Sequence, residues 1–232
     1  MAGEAFGVRS DGLVVDVWSD VMCPFCYLGD AFLQQALAQF PHRDSVTVRY
    51  HSFLLMPELA TDTAMNLNDL LATKRGFPRD QAAAMNAQFA ERGKPAGLDY
   101  QMDKAIAANT RSAHRLSHFA ASQGRQHDMI QRLFKAYFTD GLNIGDFHVL
   151  ADLAAEIGLD RAEALAVLES GAFETEVDAD LNQARGLGIS GVPFFVFQGK
   201  YAVSGAQPVG SFLEVLDRTW AELTESATPA TR

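Results

Sequence analysis

The spacing of hydrophobic residues changes twice near the start of the chain. Residues 13 to 18, LVVDVW, form a short apolar run rich in β-branched side chains, which predicts a buried strand. Over residues 25 to 40 the apolar side chains recur at helical spacing, and Pro41 ends the pattern. Residues 45 to 53, SVTVRYHSF, then alternate and predict a second strand. The chain is therefore expected to open as β-α-β.

The middle of the chain is predicted to be helical throughout. Between about residues 57 and 188, Ala-rich amphipathic segments follow one another without a strand pattern. The glycines that can end these helices are Gly76, Gly93, Gly124, Gly141, Gly158 and Gly171. One helix carries an apolar face that predicts a core stripe, formed by Met129, Ile130, Leu133, Phe134, Tyr137 and Phe138.

Strand character returns near the end of the chain. Residues 192 to 198, VPFFVFQ, and residues 201 to 204, YAVS, predict a β-hairpin joined by Gly199 and Lys200. A last amphipathic helix follows, with apolar positions at Phe212, Leu213, Leu216, Trp220 and Leu223.

The order β-α-β, helical block, β-β-α predicts an α/β protein with the thioredoxin fold and a large all-helical insertion between its two halves. We place the discontinuous thioredoxin-like domain at residues 12–56 and 189–225. The inserted helical domain is placed at 57–188, and residues 226–232 are expected to form a polar tail.

The composition narrows the classes of partner. A formal net charge of -10 disfavours nucleic acid, since phosphate binding needs a concentrated basic surface. The first twenty residues lack a basic opening followed by an apolar stretch, and no later run is long enough to cross a membrane. We therefore expect a cytoplasmic protein without membrane contact.

The only two cysteines, Cys23 and Cys26, lie at the start of the first predicted helix, directly after a strand. In a reducing compartment such a pair is either redox-active or half of a metal site. A helix N-terminus stabilises a thiolate, the attacking species in disulfide exchange, so Cys23 is the expected nucleophile. Cys26, one turn further, is expected to resolve the mixed disulfide. Pro24 suits the first helical turn, and Phe25 adds no charge.

Two other features bear on this interpretation. His114 and His118 are four residues apart and, with Cys23 and Cys26, contain the residue types of a zinc site. The long gap between the two halves argues against zinc, so we predict no metal. Pro193 precedes the hairpin strand and is either an edge-strand proline or a cis-proline facing the cysteines.

Four segments together resemble the DsbA-like oxidoreductases, specifically the FrnE-like branch related to hydroxychromene-carboxylate isomerases and kappa-class glutathione transferases. They are VDVWSDVMCPFCYLG, Asn109-Thr110 with Ala113-His114-Arg115-Leu116, ARGLGISGVPFFVF and YAVSGAQP. The resemblance covers nearly the whole chain. The kappa-class transferases and the isomerases carry a serine at the reactive position. This chain has Cys23 there, and Cys26 as its partner.

The resemblance implies that Cys23 faces a cis-Pro193 loop and that substrate binds in the groove beside Pro24 and Phe25. The backbone of Val192 is expected to pair with an extended peptide or with glutathione. Ser204 and Gly205 match the segment at which related enzymes bind the γ-glutamyl end of glutathione.

The roles of several polar residues remain open at this point. Asn109, Thr110 and His114 either line the groove or, for the first two, cap a helix, and capping is favoured for Thr110. Asp16 is either a proton acceptor for Cys26 or a partner of nearby backbone. Asp20 is interpreted as an ordinary loop residue.

The sequence predicts a thiol–disulfide oxidoreductase that exchanges disulfides with protein or low-molecular-weight thiols. Its redox group is the cysteine pair, with no bound cofactor and with glutathione as a possible co-substrate. The alternatives are a glutathione-dependent isomerase or transferase, and a chaperone-like binder that uses the cysteines as a switch. The periplasmic DsbA proteins that this chain resembles carry a histidine where Phe25 stands, and the resemblance implies that loss of this cation makes the pair less oxidising. The expected redox potential is therefore roughly -250 to -180 mV. By analogy, the protein is a monomer or a homodimer.

Overall fold

The computed structural model describes residues 12–61, 65–76 and 78–227. The strands are β1, Leu13–Ser19; β2, Val46–Ser52; β3, Phe194–Phe197; and β4, Tyr201–Ser204. They form one sheet in the order β2-β1-β3-β4. Strand β1 is parallel to β2 and antiparallel to β3, which is antiparallel to β4. This arrangement confirms the predicted thioredoxin fold.

Helix α1 connects the first two strands, α2 to α8 form the predicted insertion between β2 and β3, and α9 ends the fold. Their bounds are α1, Pro24–Gln39; α2, Leu67–Arg75; α3, Arg79–Gly93; α4, Arg111–Ser122; α5, Gln126–Lys135; α6, Phe147–Glu156; α7, Arg161–Ser170; α8, Glu174–Gly186; and α9, Val209–Ala227. None of these described helices is long and apolar enough to cross a membrane. Helix α9 enters the predicted tail, whose residues 228–232 lie outside the described chain.

The two faces of β1 contact different parts of the core. Leu13, Val15 and Val17 belong to the large hydrophobic core that also contains the apolar residues of α1 and α9. Trp18 lies on the opposite face with Ala184 at the end of α8, and its indole N–H is 3.4 Å from the Asp180 carbonyl oxygen. The last helix of the insertion therefore covers the second face of the sheet. The domain boundary at residue 188 stays a prediction.

The prediction of helix throughout the insertion is wrong for residues 57 to 61, 65 to 66 and 97 to 110, where the structure has no helix. Gly97 has a left-handed φ of 80°, and the chain then runs without helix to the start of α4. Its backbone groups pair with distant segments instead, as when the N–H of Gln101 donates to Phe138 at 2.6 Å. The apolar stripe of α5 and the following π-helical turn, Ala136–Asp140, is buried as predicted.

The hairpin connection begins one residue earlier than predicted, because Phe197 pairs with Tyr201 and residues 198 to 200 join the strands. Gln198 and Gly199 both have positive φ, 52° and 65°, and the Lys200 N–H donates to the Phe197 carbonyl oxygen at 2.9 Å. Two successive residues with positive φ, closed by this bond, resemble a type I′ turn, and Lys200 follows as a third loop residue. The Gln198 side chain accepts a hydrogen bond from the Val14 N–H at 2.8 Å, which offsets the unfavourable backbone conformation of a residue with a Cβ.

Candidate active site

Cys23 lies at the N-cap of α1, where the order strand, turn, Pro24 predicts a helix start. Its thiol donates to the Val192 carbonyl oxygen at 3.6 Å, within range for a sulfur donor. The Val192–Pro193 peptide bond is cis, as the resemblance implied. The first turn of α1 and the loop before β3, 169 residues apart, therefore meet at the reactive sulfur.

Cys26 is buried one turn into α1, only 1% exposed, and both cysteines are free thiols. Its amide N–H donates to the Cys23 carbonyl oxygen at 3.0 Å. Burial, followed by the hydrogen bond and charge of Cys23, raises the pKa of the Cys26 thiol well above its ordinary value. The hydroxyl of Ser19 and the backbone of Asp20 oppose this shift by hydrogen bonding to the sulfur. Cys26 is thus held protonated, whereas Cys23, which is also buried at 5% exposure, borders the groove described below.

The inserted segment contacts both residues between the cysteines. Tyr100 donates its hydroxyl proton to the Pro24 carbonyl oxygen at 2.7 Å. Phe25 is 42% exposed, and its ring meets Phe89 of α3 edge-on with centroids 4.6 Å apart. The Arg92 guanidinium lies 6.0 Å from the Phe25 ring centroid. Sequence reasoning missed Tyr100 because it belongs to the non-helical stretch that was predicted as helix.

A groove of about 480 Å³ opens beside Cys23 and is mostly apolar. Its lining contains the predicted residues Pro24, Phe25 and Val192, together with Met22, Cys23, Leu55, Met56, Glu58, Leu67, Leu70, Leu71, Lys74, Asn86 and Gly191. Glu58 and Lys74 form a loose ion pair at 3.9 Å. Leu55, at 43% exposure, lies in the loop after β2. The groove therefore lies between the thioredoxin-like part of the chain and helices α2 and α3.

Ser204 and Gly205 support the cis-proline loop. The Gly205 N–H donates to the Pro193 carbonyl oxygen at 2.8 Å, and Ser204 pairs with Phe194 in the hairpin. Gly205 has a φ of 79°, in the left-handed region that glycine adopts without strain. Ser204 is exposed. Because the Gly205 amide is bonded within the protein, its predicted contact with glutathione stays a prediction.

Asn109, rather than Thr110, accepts from a backbone N–H at the start of α4, and neither residue lines the groove. The Asn109 side-chain oxygen accepts from the Arg111 N–H at 2.9 Å, and its amide group donates to the Pro57 carbonyl oxygen. Thr110 occupies the N-cap of α4, but its side chain does not cap the helix. Its hydroxyl donates instead to Asp20 at 2.7 Å. Capping by Thr110 is therefore a wrong prediction, because its hydroxyl is oriented toward the buried Asp20 carboxylate and accepts from no backbone N–H of α4.

Asp16 lies on the sheet face away from α1. Its carboxylate accepts from Arg49 at 2.8 Å and contacts His51 at 2.8 Å. His51 in turn contacts Asp180, which approaches from α8. Strand alternation explains this position, since Val15 and Val17 point into the core shared with α1. Asp16 thus bonds to side chains rather than to backbone, and neither earlier interpretation describes it.

Asp20 lies in the loop between β1 and α1, as interpreted, but it is fully buried and is therefore not an ordinary loop residue. Its carboxylate accepts from the backbone N–H groups of Met22 and Leu55 and from the Thr110 hydroxyl. His114 Nε2 lies 3.6 Å from the same carboxylate. A buried carboxylate requires such partners, and the presence of Asp three residues before Cys23 was the one available sequence signal.

The two histidines considered as zinc ligands belong to different clusters. His114 faces Asp20, whereas His118 Nε2 contacts Asp180 at 3.0 Å and the Ser52 hydroxyl at 3.1 Å. Within residues 12–61, 65–76 and 78–227, no group of three or more His, Cys, Asp or Glu side chains is arranged to hold a metal ion. Each of the two imidazole rings therefore lies beside a carboxylate.

Comparisons with known proteins agree with this geometry. A family model described as the DSBA-like thioredoxin domain matches residues 14–217. The protein YwbO of Bacillus subtilis (strain 168) is 27% identical over 194 residues, which cover 83% of this chain and 90% of YwbO.

Solved structures extend the comparison. One described as a probable DsbA oxidoreductase from Streptomyces coelicolor is 37% identical, with a TM-score of 0.86 and coverage of 95% of this chain and 93% of that one. A 2-hydroxychromene-2-carboxylate isomerase shares the fold at 16% identity, with a TM-score of 0.63 and coverage of 94% and 100%. With a cysteine pair at the head of α1 and a family match spanning most of its length, the chain belongs to the DSBA-like thioredoxin domain family and is a DsbA-like oxidoreductase.

Proposed function

We propose that this protein catalyses thiol–disulfide exchange with protein thiols and disulfides through Cys23 and Cys26. The observation that carries the proposal is the position of Cys23: its sulfur lies at a helix N-terminus, against the Val192 carbonyl oxygen, and at the wall of an apolar groove. A helix N-terminus favours the thiolate, and the groove gives a disulfide substrate a surface to bind.

The reaction has two exchange steps. The Cys23 thiolate attacks one sulfur of the substrate disulfide, which forms a mixed disulfide and releases the other substrate sulfur as a thiolate. Cys26 then loses its proton and attacks the Cys23 sulfur, which closes the Cys23–Cys26 disulfide and releases the second substrate thiol. The substrate gains two electrons and two protons, and the dithiol loses them. Burial, followed by the hydrogen bond and charge of Cys23, raises the pKa of Cys26. Formation of the mixed disulfide removes the two contributions of Cys23, which makes the proton of Cys26 easier to lose in the second step.

The groove favours protein substrates over glutathione alone. Most of its lining is apolar, and its one acidic and one basic side chain, Glu58 and Lys74, face each other at 3.9 Å. Apolar side chains next to a substrate cystine gain free energy from burial there, whereas glutathione offers little apolar surface. Glutathione then acts as the electron donor or acceptor that resets the pair. Two expectations from the sequence are kept as part of the proposal: the protein works in the cytoplasm, and it does so as a monomer or a homodimer.

The test is insulin-disulfide reduction by the wild type and by Cys26→Ser, with a small disulfide substrate assayed alongside. We expect the wild type to turn over and the variant to stop after trapping a mixed disulfide on Cys23, detectable by mass spectrometry. A matched control is Ser170→Ala, an exposed site at the end of α7 that is absent from the groove lining. Full turnover by Cys26→Ser together with tight glutathione binding would contradict dithiol exchange and would favour a glutathione-dependent isomerase or transferase.

A further inference from the structure

Arg92 lies beside the active site, on a platform formed by two aromatic rings. Its guanidinium carbon is 6.0 Å from the ring centroid of Phe25 and 5.8 Å from that of Phe89. The two rings meet edge-on, and Phe89 also packs edge-on against Tyr100 with centroids 5.3 Å apart. At these distances aromatic rings attract a cation. The last turn of α3 therefore holds a positive charge over Phe25, between the two cysteines of the sequence.

The Arg92 guanidinium has no polar partner within the part of the chain that the structure describes. Among these residues it forms neither an ion pair nor a hydrogen bond, and the adjacent carboxylate, Glu91, pairs with Lys94 at 2.6 Å instead. The described lysine and arginine side chains without an ion pair are Arg92, Lys104 and Arg185, whereas the others each contact a carboxylate. Arg92 is therefore an exposed cation with free donors, and its ring contacts place it at the dithiol motif.

Phe25 connects this cation to the substrate groove. Its ring is 42% exposed, lines the groove beside Cys23 and contacts Arg92. Arg92 itself is absent from the groove lining, whose two charged side chains, Glu58 and Lys74, face each other at 3.9 Å. An extended substrate segment that leaves the groove across Phe25 therefore meets the guanidinium.

We infer that Arg92 is a specificity-determining residue that binds a carboxylate side chain of a polypeptide substrate, close in sequence to the cystine that Cys23 attacks. The inference deepens the proposed function and rests on it for the exchange reaction. A guanidinium presents a planar fork of donors that matches a carboxylate, and its contact with aromatic rings restricts its motion before a substrate binds. The net charge of -10 gives an acidic segment no general attraction to this protein. The preference is therefore expected for a carboxylate at only one or two positions of the substrate.

The first experiment varies the substrate and leaves the protein unchanged. Short peptides with one intramolecular disulfide carry a single Glu, Gln or Lys at successive positions on either side of the cystine, and kcat/KM for their reduction is measured. At the position that faces Arg92, we expect wild type to favour Glu over Lys by roughly two- to fivefold, with Gln between them. The preference should shrink when the ionic strength rises from about 0.05 to about 0.5 M. Equal values for Glu and Lys at every position overturn the inference.

The second experiment assigns the preference to the arginine. Arg92→Gln should abolish it, Arg92→Glu should reverse it in favour of Lys, and Arg92→Lys should retain part of it, because an ammonium keeps the charge but lacks the fork. The matched control is Arg185→Gln, which removes an exposed arginine of α8 that also lacks an ion pair among the described residues and should keep the wild-type preference. Equal losses in Arg92→Gln and Arg185→Gln would trace the preference to net charge and refute the role of Arg92.

Glutathione also carries carboxylates, so the same variants are assayed with glutathione disulfide. We expect Arg92→Gln to reduce it at nearly the wild-type rate. A loss with glutathione disulfide and none with the Glu peptide would overturn the inference, since the bound carboxylate would then be that of glutathione.

A binding assay separates this inference from the proposed function. The same peptides with both cysteines replaced by serine cannot exchange disulfides, and fluorescence anisotropy of labelled copies reports their affinity alone. Tighter binding of the Glu peptide by wild type than by Arg92→Gln, without any disulfide exchange, would retain the role of Arg92 while the proposed function fails. Exchange that proceeds equally well with Glu and Lys peptides would retain the proposed function and refute the role of Arg92.

Discussion

Pro193 packs directly on Gly29 of helix α1. A Cβ atom built on Gly29 would lie 2.9 Å from Pro193 Cγ, 3.2 Å from the Phe195 ring and 3.4 Å from the Ala206 backbone. Neither the Pro193 ring nor the Ala206 backbone can move away by rotating a flexible side chain. The glycine therefore lets the helix that carries both cysteines approach the cis-proline loop closely enough for Cys23 to reach Val192.

Gly29→Ala is expected to lower both stability and exchange activity. Overpacking costs about 1–3 kcal/mol, while the better helix propensity of alanine returns at most about 1 kcal/mol. The loop should also move away from Cys23, so kcat/KM for a disulfide substrate should fall. Urea unfolding and steady-state kinetics measure the two effects. Gly186→Ala in α8 is the control, because a Cβ there meets nothing within 4 Å. Unchanged activity in Gly29→Ala would show that the loop position does not depend on this contact.

Tyr100→Phe is expected to destabilise the protein by about 1 kcal/mol, because it leaves the Pro24 carbonyl oxygen without its hydrogen bond. The ring keeps its contacts with Phe89 and Phe138. The control is Tyr137→Phe, which removes a buried hydroxyl that has no hydrogen-bond partner among the described residues and should be neutral or slightly stabilising. Chemical denaturation of the two variants separates these cases, and equal effects would argue against the bond to Pro24.

The strands, the first helix and the dithiol were predictable because each has a local signal. Period changes mark the strands, and the sequence order places Cys23 at a helix start. The hydrogen bond between Tyr100 and Pro24 had no such signal, because the two residues are 76 positions apart. Tyr100 also belongs to a stretch whose backbone pairs with distant segments. Asp20 was missed for a similar reason, because two of its donors arrive from other elements. The face of Asp16, however, followed from strand alternation and was available in the sequence.

The cluster of His51, Asp16 and Asp180 should make stability fall in alkaline solution. Although burial alone lowers the pKa of His51, its contacts with the two carboxylates raise it from 6.5 to about 9. Because the folded value exceeds the unfolded one, the stabilisation is complete below pH 6.5 and is lost as the pH rises through about 9. The expected loss is about 3 kcal/mol.

Urea unfolding of wild type and His51→Gln at several pH values between 6 and 10 tests this expectation. The variant should be less stable at neutral pH and should show a flatter decline. His148→Gln, at an exposed site in α6, is the control and should follow wild type. In acid the dependence of stability on pH has the opposite sign because of Asp180. Its hydrogen bonds with His118 and His51 outweigh burial and hold its pKa below the ordinary range, so this stabilisation is lost as the pH falls. Parallel alkaline curves for His51→Gln and wild type would contradict the assignment.

Phe25→His is expected to make the dithiol more oxidising. An imidazolium beside Cys23 stabilises the thiolate and therefore the reduced form. The wild-type potential should lie at roughly -250 to -180 mV, and the variant should be less negative. Phe25→Gln is the control, because it introduces a polar side chain without a cation at the same 42% exposed position. Glutathione titration measures all three. A wild-type value near about -120 mV would contradict the expected effect of Phe25.

Leu55→Glu should weaken the binding of protein substrates without unfolding the chain. Leu55 is 43% exposed, so the substitution costs little stability, but its side chain lines the groove beside Cys23. A carboxylate there would be desolvated by an apolar substrate segment, which should raise KM several-fold for insulin and leave the reaction with glutathione disulfide nearly unchanged. Leu187→Glu is the matched control, since Leu187 is 46% exposed and is absent from the groove lining. If both variants reduce insulin as well as wild type does, the apolar groove is not the binding surface for protein substrates.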